Sequence, residues 1–230
     1  MMIRRAGGVL LAGLLLGASA GANAVPSLDL GNGTQVFSTG MDVAGSVDQR
    51  YRLTSIDGSP VDQDLSVVSA FFLSNNNADS QWIGHTGLSN APNVVYGTST
   101  VIDLTGFDLV NNLFSIAGSW ISDNRGVDIR VNGVSTGQTN SGQHGQALWD
   151  LDPANAFSLD SATSGLIAGV NTVDFLWENG TPTFTAPSPT MVRIEFEEFS
   201  LVSPVPAPSV PLLFGVALIG FVRGARAGLR

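Results

Sequence analysis

Along most of this chain apolar and polar positions alternate with a period of two, and helical spacing is weak throughout. Short β-branched or alternating runs recur between Gly, Asn, Asp and Ser, which predicts strands joined by turns. Strands are expected over Thr34 to Phe37, Tyr51 to Ile56, Ser66 to Leu73, Gln81 to Ile83 and Thr98 to Leu104. Asp57-Gly58 closes the second of these, and the Asn75-Asn76-Asn77 run closes the third. Leu113 to Ile121 puts Phe114, Ile116, Gly118 and Trp120 on one face, and Val127, Ile129 and Val131 share a face on the next strand. Asn132-Gly133 then predicts a tight hairpin, because both residues tolerate positive φ. Val173, Phe175 and Trp177 alternate, as do Val192, Ile194 and Phe196; Phe199 and Leu201 resume on the opposite parity, which predicts a bulge at Glu197-Glu198. About ten short strands of this kind predict an all-β sandwich or jelly roll.

The two ends break the pattern. Arg4 and Arg5 precede a short apolar run, Val9 to Leu16, and Ala22-Asn23-Ala24 is a small-x-small cleavage site. Residues 1–24 therefore read as a secretory signal peptide, with cleavage between Ala24 and Val25. At the other end Val205-Pro206-Ala207-Pro208 leads to an apolar run, Val210 to Val222, followed by Arg223, Arg226 and Arg230. That run is short for a helical span, which takes roughly 20 residues, and trailing arginines hold such a segment at the cytoplasmic face. Residues 204–230 resemble the PEP-CTERM sorting signal of Gram-negative bacteria: a Val-Pro-x-Pro motif, here Val205, Pro206 and Pro208, then a glycine-bearing apolar segment (Gly215, Gly220) and a basic end. Ala207 stands where that family most often has Glu, and the arginines are spread rather than adjacent. The resemblance implies Sec-dependent export, transient anchoring in the inner membrane, and processing by an exosortase.

Between the ends, residues 25–203 form one expected domain. Gly118 to Gly137 and Leu166 to Asn179, with Pro189-Thr190-Met191-Val192-Arg193-Ile194-Glu195 and the earlier Ser80-Gln81-Trp82-Ile83, resemble the jelly-roll domains of galactose-binding-like fold that PEP-CTERM proteins carry. Met191 stands where that family has Gly. The resemblance implies a single jelly-roll β-sandwich flanked by a signal peptide and a short C-terminal membrane or sorting helix. Gly169 and Asn171 read as a tight entry into a core strand.

Charge and composition narrow the chemistry. There is no cysteine and no lysine. Of the ten arginines, five lie in the two end segments; the body keeps Arg50, Arg52, Arg125, Arg130 and Arg193 against all nineteen acids, a formal charge of −14. Such a body repels nucleic acid. His85 and His144 are the two histidines, and neither adjoins a nucleophile elbow, so no catalytic residue is assigned. Sugar binding needs an exposed aromatic face with planar polar groups around it. Trp149, beyond a Gly/Gln/Ser-rich loop, and the turn Asp123-Asn124-Arg125 are the candidates; for Asp123-Asn124 a turn built on Asx side chains is the structural alternative. Trp120 and Trp177 read as core, and Trp82 stays open. Hard oxygen ligands leave one structural calcium ion as a cofactor to consider, with Glu195, Glu197 and Glu198 as contributors; a solvated acidic strand face is the alternative. The expectation is a non-enzymatic, exported surface or extracellular-matrix protein associated with exopolysaccharide. A carbohydrate-binding module with a defined sugar is the alternative, and an extracellular hydrolase stands behind both.

Overall fold

The computed structural model describes residues 27–31, 33–68, 79–85, 94–140, 155–179 and 190–203. The signal-peptide residues Ala22, Ala24 and Val25, the sorting-motif residues Val205, Pro206, Pro208, Arg223 and Arg226, and both His144 and Trp149 lie outside them. No described helix is long and apolar enough to cross a membrane.

The described chain is all β and antiparallel throughout. A two-stranded ribbon pairs β1 (Ser27–Asp29) with β2 (Gln35–Phe37). The other strands are β3 (Val47–Ile56), β4 (Ser59–Val67), β5 (Ile83–Gly84), β6 (Val94–Asp103), β7 (Leu113–Ser122), β8 (Arg125–Val131), β9 (Val134–Ser135), β10 (Ala156–Asp160), β11 (Val170–Asn179) and β12 (Met191–Val202). They join in one sheet of order β10-β7-β12-β5-β4-β3-β6-β11-β8-β9. The two-residue β5 is the corner at which this sheet folds over. Its Ile83 pairs with both Val67 of β4 and Val192 of β12.

The fold-over lays β10, β7 and β12 against β6, β11 and β8, giving a sandwich-like core. Alternation supplies that core directly: Phe114, Ile116 and Trp120 of β7, Val173, Phe175 and Trp177 of β11, and Val192 and Ile194 of β12 are fully buried. Phe175 is the contact between halves. Its ring centroid lies 5.4 Å from Trp120, 5.6 Å from Phe157 on β10 and 6.4 Å from Phe196 on β12. These tilted and edge-to-face arrangements suit the aromatic quadrupole.

The turns follow the sequence closely. Asn132 and Gly133 take φ of 52° and 81°, and Asp57 and Gly58 take 51° and 75°, as two-residue hairpins require. The register of β12 on β7 slips between Phe196 and Glu198, so Glu197 is the extra residue of a bulge. Beyond it Phe199 stacks on Phe114 at 6.3 Å, but Leu201 is 43% exposed and does not rejoin the core.

Other expectations need correction. Of the expected Ser66 to Leu73 strand, Ser66 and Val67 end β4, which starts at Ser59 directly after the Asp57-Gly58 turn, and 69–73 lie outside the described residues. The first part of β4 is polar, with Asp62 and Asp64 paired to Arg52 of β3, so it carries no apolar alternation to mark it. The expected Gln81–Ile83 strand is displaced to Ile83–Gly84. Gln81 instead donates its backbone N–H to Thr39, whose own N–H bonds Ile194, so residues 38–39 occupy the place beside β12. Val127 is off the ladder: β11 Leu176 faces Asp128 while Trp177 faces Gly126, leaving Val127 as an unpaired, half-buried residue.

Candidate functional site

The β7–β8 turn is two residues, Asp123 and Asn124, and it carries the chain from one half of the sandwich to the other. Both are buried, and the peptide bond between them is cis. Asp123 N–H bonds the carbonyl of Met191 at 3.0 Å and Asn124 N–H bonds that of Glu178 at 2.8 Å, so the turn is tied to the start of β12 and the end of β11. Asn124 Nδ2 donates to Asp123 Oδ1 at 2.8 Å. The two side chains are therefore bonded to each other inside the turn.

Arg125 opens β8 with a side chain 62% exposed. Its Nε and Nη2 both donate to Glu178 Oε2, at 2.8 and 2.5 Å. Glu178 in turn pairs with Val95 of β6, and Val95 is bonded through its carbonyl to Asp57 N–H of the β3–β4 hairpin. Asp57, Val95, Glu178 and Arg125 thus run across four strands at one end of the sandwich.

Asn140 ties the departure of the Trp149-bearing segment to the same turn. Its Oδ1 accepts Gly126 N–H at 2.5 Å, its N–H bonds Gly126 O at 3.2 Å, and its Nδ2 donates to Trp120 O at 3.1 Å. Gly126 has to be glycine. A Cβ there would stand 2.2 Å from Cη2 of Trp120 and 2.6 Å from Nδ2 of Asn140. Thus Asp123, Asn124 and Arg125 form one turn, and Asn140 is held against Gly126, the residue that follows it.

The three glutamates of the last strand separate. Glu195 is buried: its Oε2 accepts Ser80 Oγ at 2.6 Å and Arg193 Nη2 at 3.0 Å, and Arg193 Nε also donates to Ser80 at 2.5 Å. The solvated strand face weighed as the alternative to a calcium site does not describe Glu195; a buried arginine two residues away holds it inside. Glu197 accepts Ser119 Oγ at 2.6 Å, and Glu198, past the bulge, is exposed. Glu195 and Glu197 line a cavity of about 280 Å³ with Ser27, Ser38 and Asp79, and Glu198 does not. Among the described residues no three His, Asp or Glu side chains are disposed to hold a metal ion. His85 follows β5 directly. Trp82 is resolved as core, packed with Ile121, Met191 and Val68 in a small cluster of its own.

Sequence reasoning missed the Ser80–Arg193–Glu195 cluster, although each residue lies in a stretch it singled out. It also missed Asp48, a buried carboxylate that accepts the backbone N–H of Gly40, Arg50 and Tyr51. Burial pushes this carboxyl above the usual aspartate range, against the pull of those three donors. Asp103, Asp108 and Asp160 are opposite cases: Asp108 is exposed, the other two are half-buried, and hydrogen bonds within their own turns hold all three below that range. No protein-family model, curated protein or solved structure matches the chain.

Proposed function

We propose that this chain is an exported surface or extracellular-matrix protein without enzymatic activity, associated with exopolysaccharide. In this reading a jelly-roll domain of galactose-binding-like type is carried between a signal peptide and a PEP-CTERM-like sorting tail. One geometric observation supports it. β12 starts at Met191, bonded to the Asp123 turn, and ends at Val202, paired with the first residue of β7. Twelve residues of extended strand put roughly 35 Å between the two ends. The tail therefore leaves the end of the sandwich remote from Asp123, Asn124 and Arg125, so an anchored domain would present that polar end outward.

Expressed in a Gram-negative host that carries an exosortase, the full chain is expected to lose its tail near Val205–Pro208 and to fractionate with the extracellular matrix. A full-length product retained in the inner membrane of such a host would overturn the proposal.

A carbohydrate-binding module is the second reading, favoured by the Asn140–Gly126 bridge that starts the Trp149 segment beside Asp123-Asn124-Arg125. A glycan-array screen with and without calcium tests it. A saturable hit abolished by Trp149→Ala supports a defined sugar ligand and a calcium requirement if one is seen. No hit in either condition leaves the matrix role alone.

A further inference from the structure

Among the described residues, seven of the nine exposed large aliphatic side chains fall into two groups; Val43, 80% exposed, and Val101 stand outside them. Val110, Leu113, Leu201 and Val202 sit on the β6–β7 link, the first residue of β7 and the last two of β12. Leu113 and Val202 are paired, and Ser203 Oγ bonds Asn112 Oδ1 at 2.6 Å, so these four form one group. Val134, Ile167 and Val170 form a second, on the β8–β9 hairpin and the approach to β11. Asn132 Nδ2 bonds both Gly165 O and Asn171 Oδ1, and Ile167 N–H bonds Asn171 Oδ1, which fixes the second group together. The turn at 161–169 joins the two groups, starting with Ser161 N–H on Phe114 O and reaching Gly169, whose carbonyl accepts Leu104 N–H. All seven residues lie at the end of the sandwich opposite the Asp123 turn. Val110 is 93% exposed.

This is also the end from which the chain continues past Ser203. Six residues, Pro204 to Ser209, separate Ser203 from the apolar run Val210 to Val222. Fully extended they reach at most about 22 Å. With the run inserted in a bilayer, this end is held within that distance of the headgroups.

We propose that this aliphatic end is a membrane-contacting surface that rests on a zwitterionic phospholipid bilayer while the tail is inserted. The proposal rests on the reading of residues 210–222 as an anchor and adds the face of the domain that meets the lipid. Exposed aliphatics that would otherwise stay in water gain by entering the interface. Charge selects the lipid: Asp103, Asp108 and Asp160 stand on turns at this end as ionised carboxylates, which anionic headgroups repel.

The chain has no cysteine, so single-cysteine fluorophores report one site each. Full-length Val110→Cys, Ile167→Cys and Ser59→Cys proteins, the last labelled at the opposite end, are reconstituted with phosphatidylcholine vesicles containing a doxyl-labelled quencher lipid. The expected result is flotation with the vesicles, loss of fluorescence at positions 110 and 167, and none at 59. Replacing part of the phosphatidylcholine by phosphatidylglycerol is expected to reduce the quenching at low salt, and added salt to restore it. Flotation without quenching at 110 and 167, or with quenching at 59 instead, overturns the proposal and leaves the anchor reading standing. Failure to float overturns both. Concentration-dependent self-quenching at 110 and 167 without lipid overturns it in favour of a second copy of the chain as the covering surface.

Discussion

At the scale of single residues, burial decides what each polar or aromatic group does. Trp120 was legible as core from its alternation with Phe114 and Ile116, and it is fully buried against Phe175 and Gly126. Trp120→Ala should cost roughly 3–5 kcal/mol in urea unfolding, as for other buried aromatics. The indole Nε1 finds no acceptor among the described residues, so Trp120→Phe removes an unpaid donor and should cost well under half as much. Equal costs for the two would show that the indole N–H is bonded after all. Asp48 was not legible, because nothing in Val47-Asp48-Gln49 marks that carboxylate as turned inward. Asp48→Asn puts an amide where Gly40 N–H needs an acceptor and should cost about 1–3 kcal/mol. The pH dependence has a definite sign. With its pKa raised by folding, Asp48 is protonated in the folded chain where the unfolded chain has ionised, so its contribution falls as pH rises through that window. The wild-type advantage over Asp48→Asn should therefore shrink between acid and neutral pH, and an advantage that grows would contradict the assignment.

At the scale of elements, the stretches that stand out in the sequence prove to be partners of one another. Ser80, ahead of β5, meets Arg193 and Glu195 on β12; Asn132, in the β8–β9 turn, meets Asn171 at the start of β11. Each motif alone looks like a turn or a strand end, and its purpose becomes visible only when two are brought together. Pairing partners far apart in sequence leave no local pattern, which is why the individual strands were legible while the Ser80–Arg193–Glu195 cluster was not. The same limit explains Gly118. Its place among apolar core residues was plain, but its requirement comes from β12, since a Cβ there would stand 2.0 Å from Glu195 O. Arg193→Met leaves Glu195 buried without its cation and should cost about 3–5 kcal/mol, whereas Arg193→Met with Glu195→Leu should recover most of that. A double variant as unstable as the single one would mean that the cluster fixes the β5–β12 corner through more than its charges.

At the scale of the whole molecule, alternation and turn chemistry specified an all-β chain with most strands in place. They could not specify the sheet order, in which a two-residue strand joins the halves, or the place of residues 38–39 between β12 and Gln81. Of the candidate site, the grouping of Asp123, Asn124 and Arg125 was legible because they are contiguous. Their ties to Glu178 and Met191 were not, because those come from strands much later in the chain. The polarity of the molecule, with a polar turn at one end and aliphatics and the tail exit at the other, emerges only once β12 is seen to run between them. That polarity makes the last strand the test of how the domain is bounded. Past Val202 the described chain adds one side-chain bond, Ser203 to Asn112, worth about 0.5–1.5 kcal/mol at most. Ending the mature chain after Ser203 should therefore leave a folded product that needs no detergent, and cutting one residue earlier should lower its Tm by no more than about 6 °C. Ending it after Phe196 instead removes the rungs from Glu198 to Val202 and the Phe199–Phe114 stack, and should abolish the cooperative transition. If the Ser203 product were insoluble or failed to melt cooperatively, residues beyond 203 would have to belong to the fold, and the tail could not be the separable anchor on which the outward display of the Asp123 end depends.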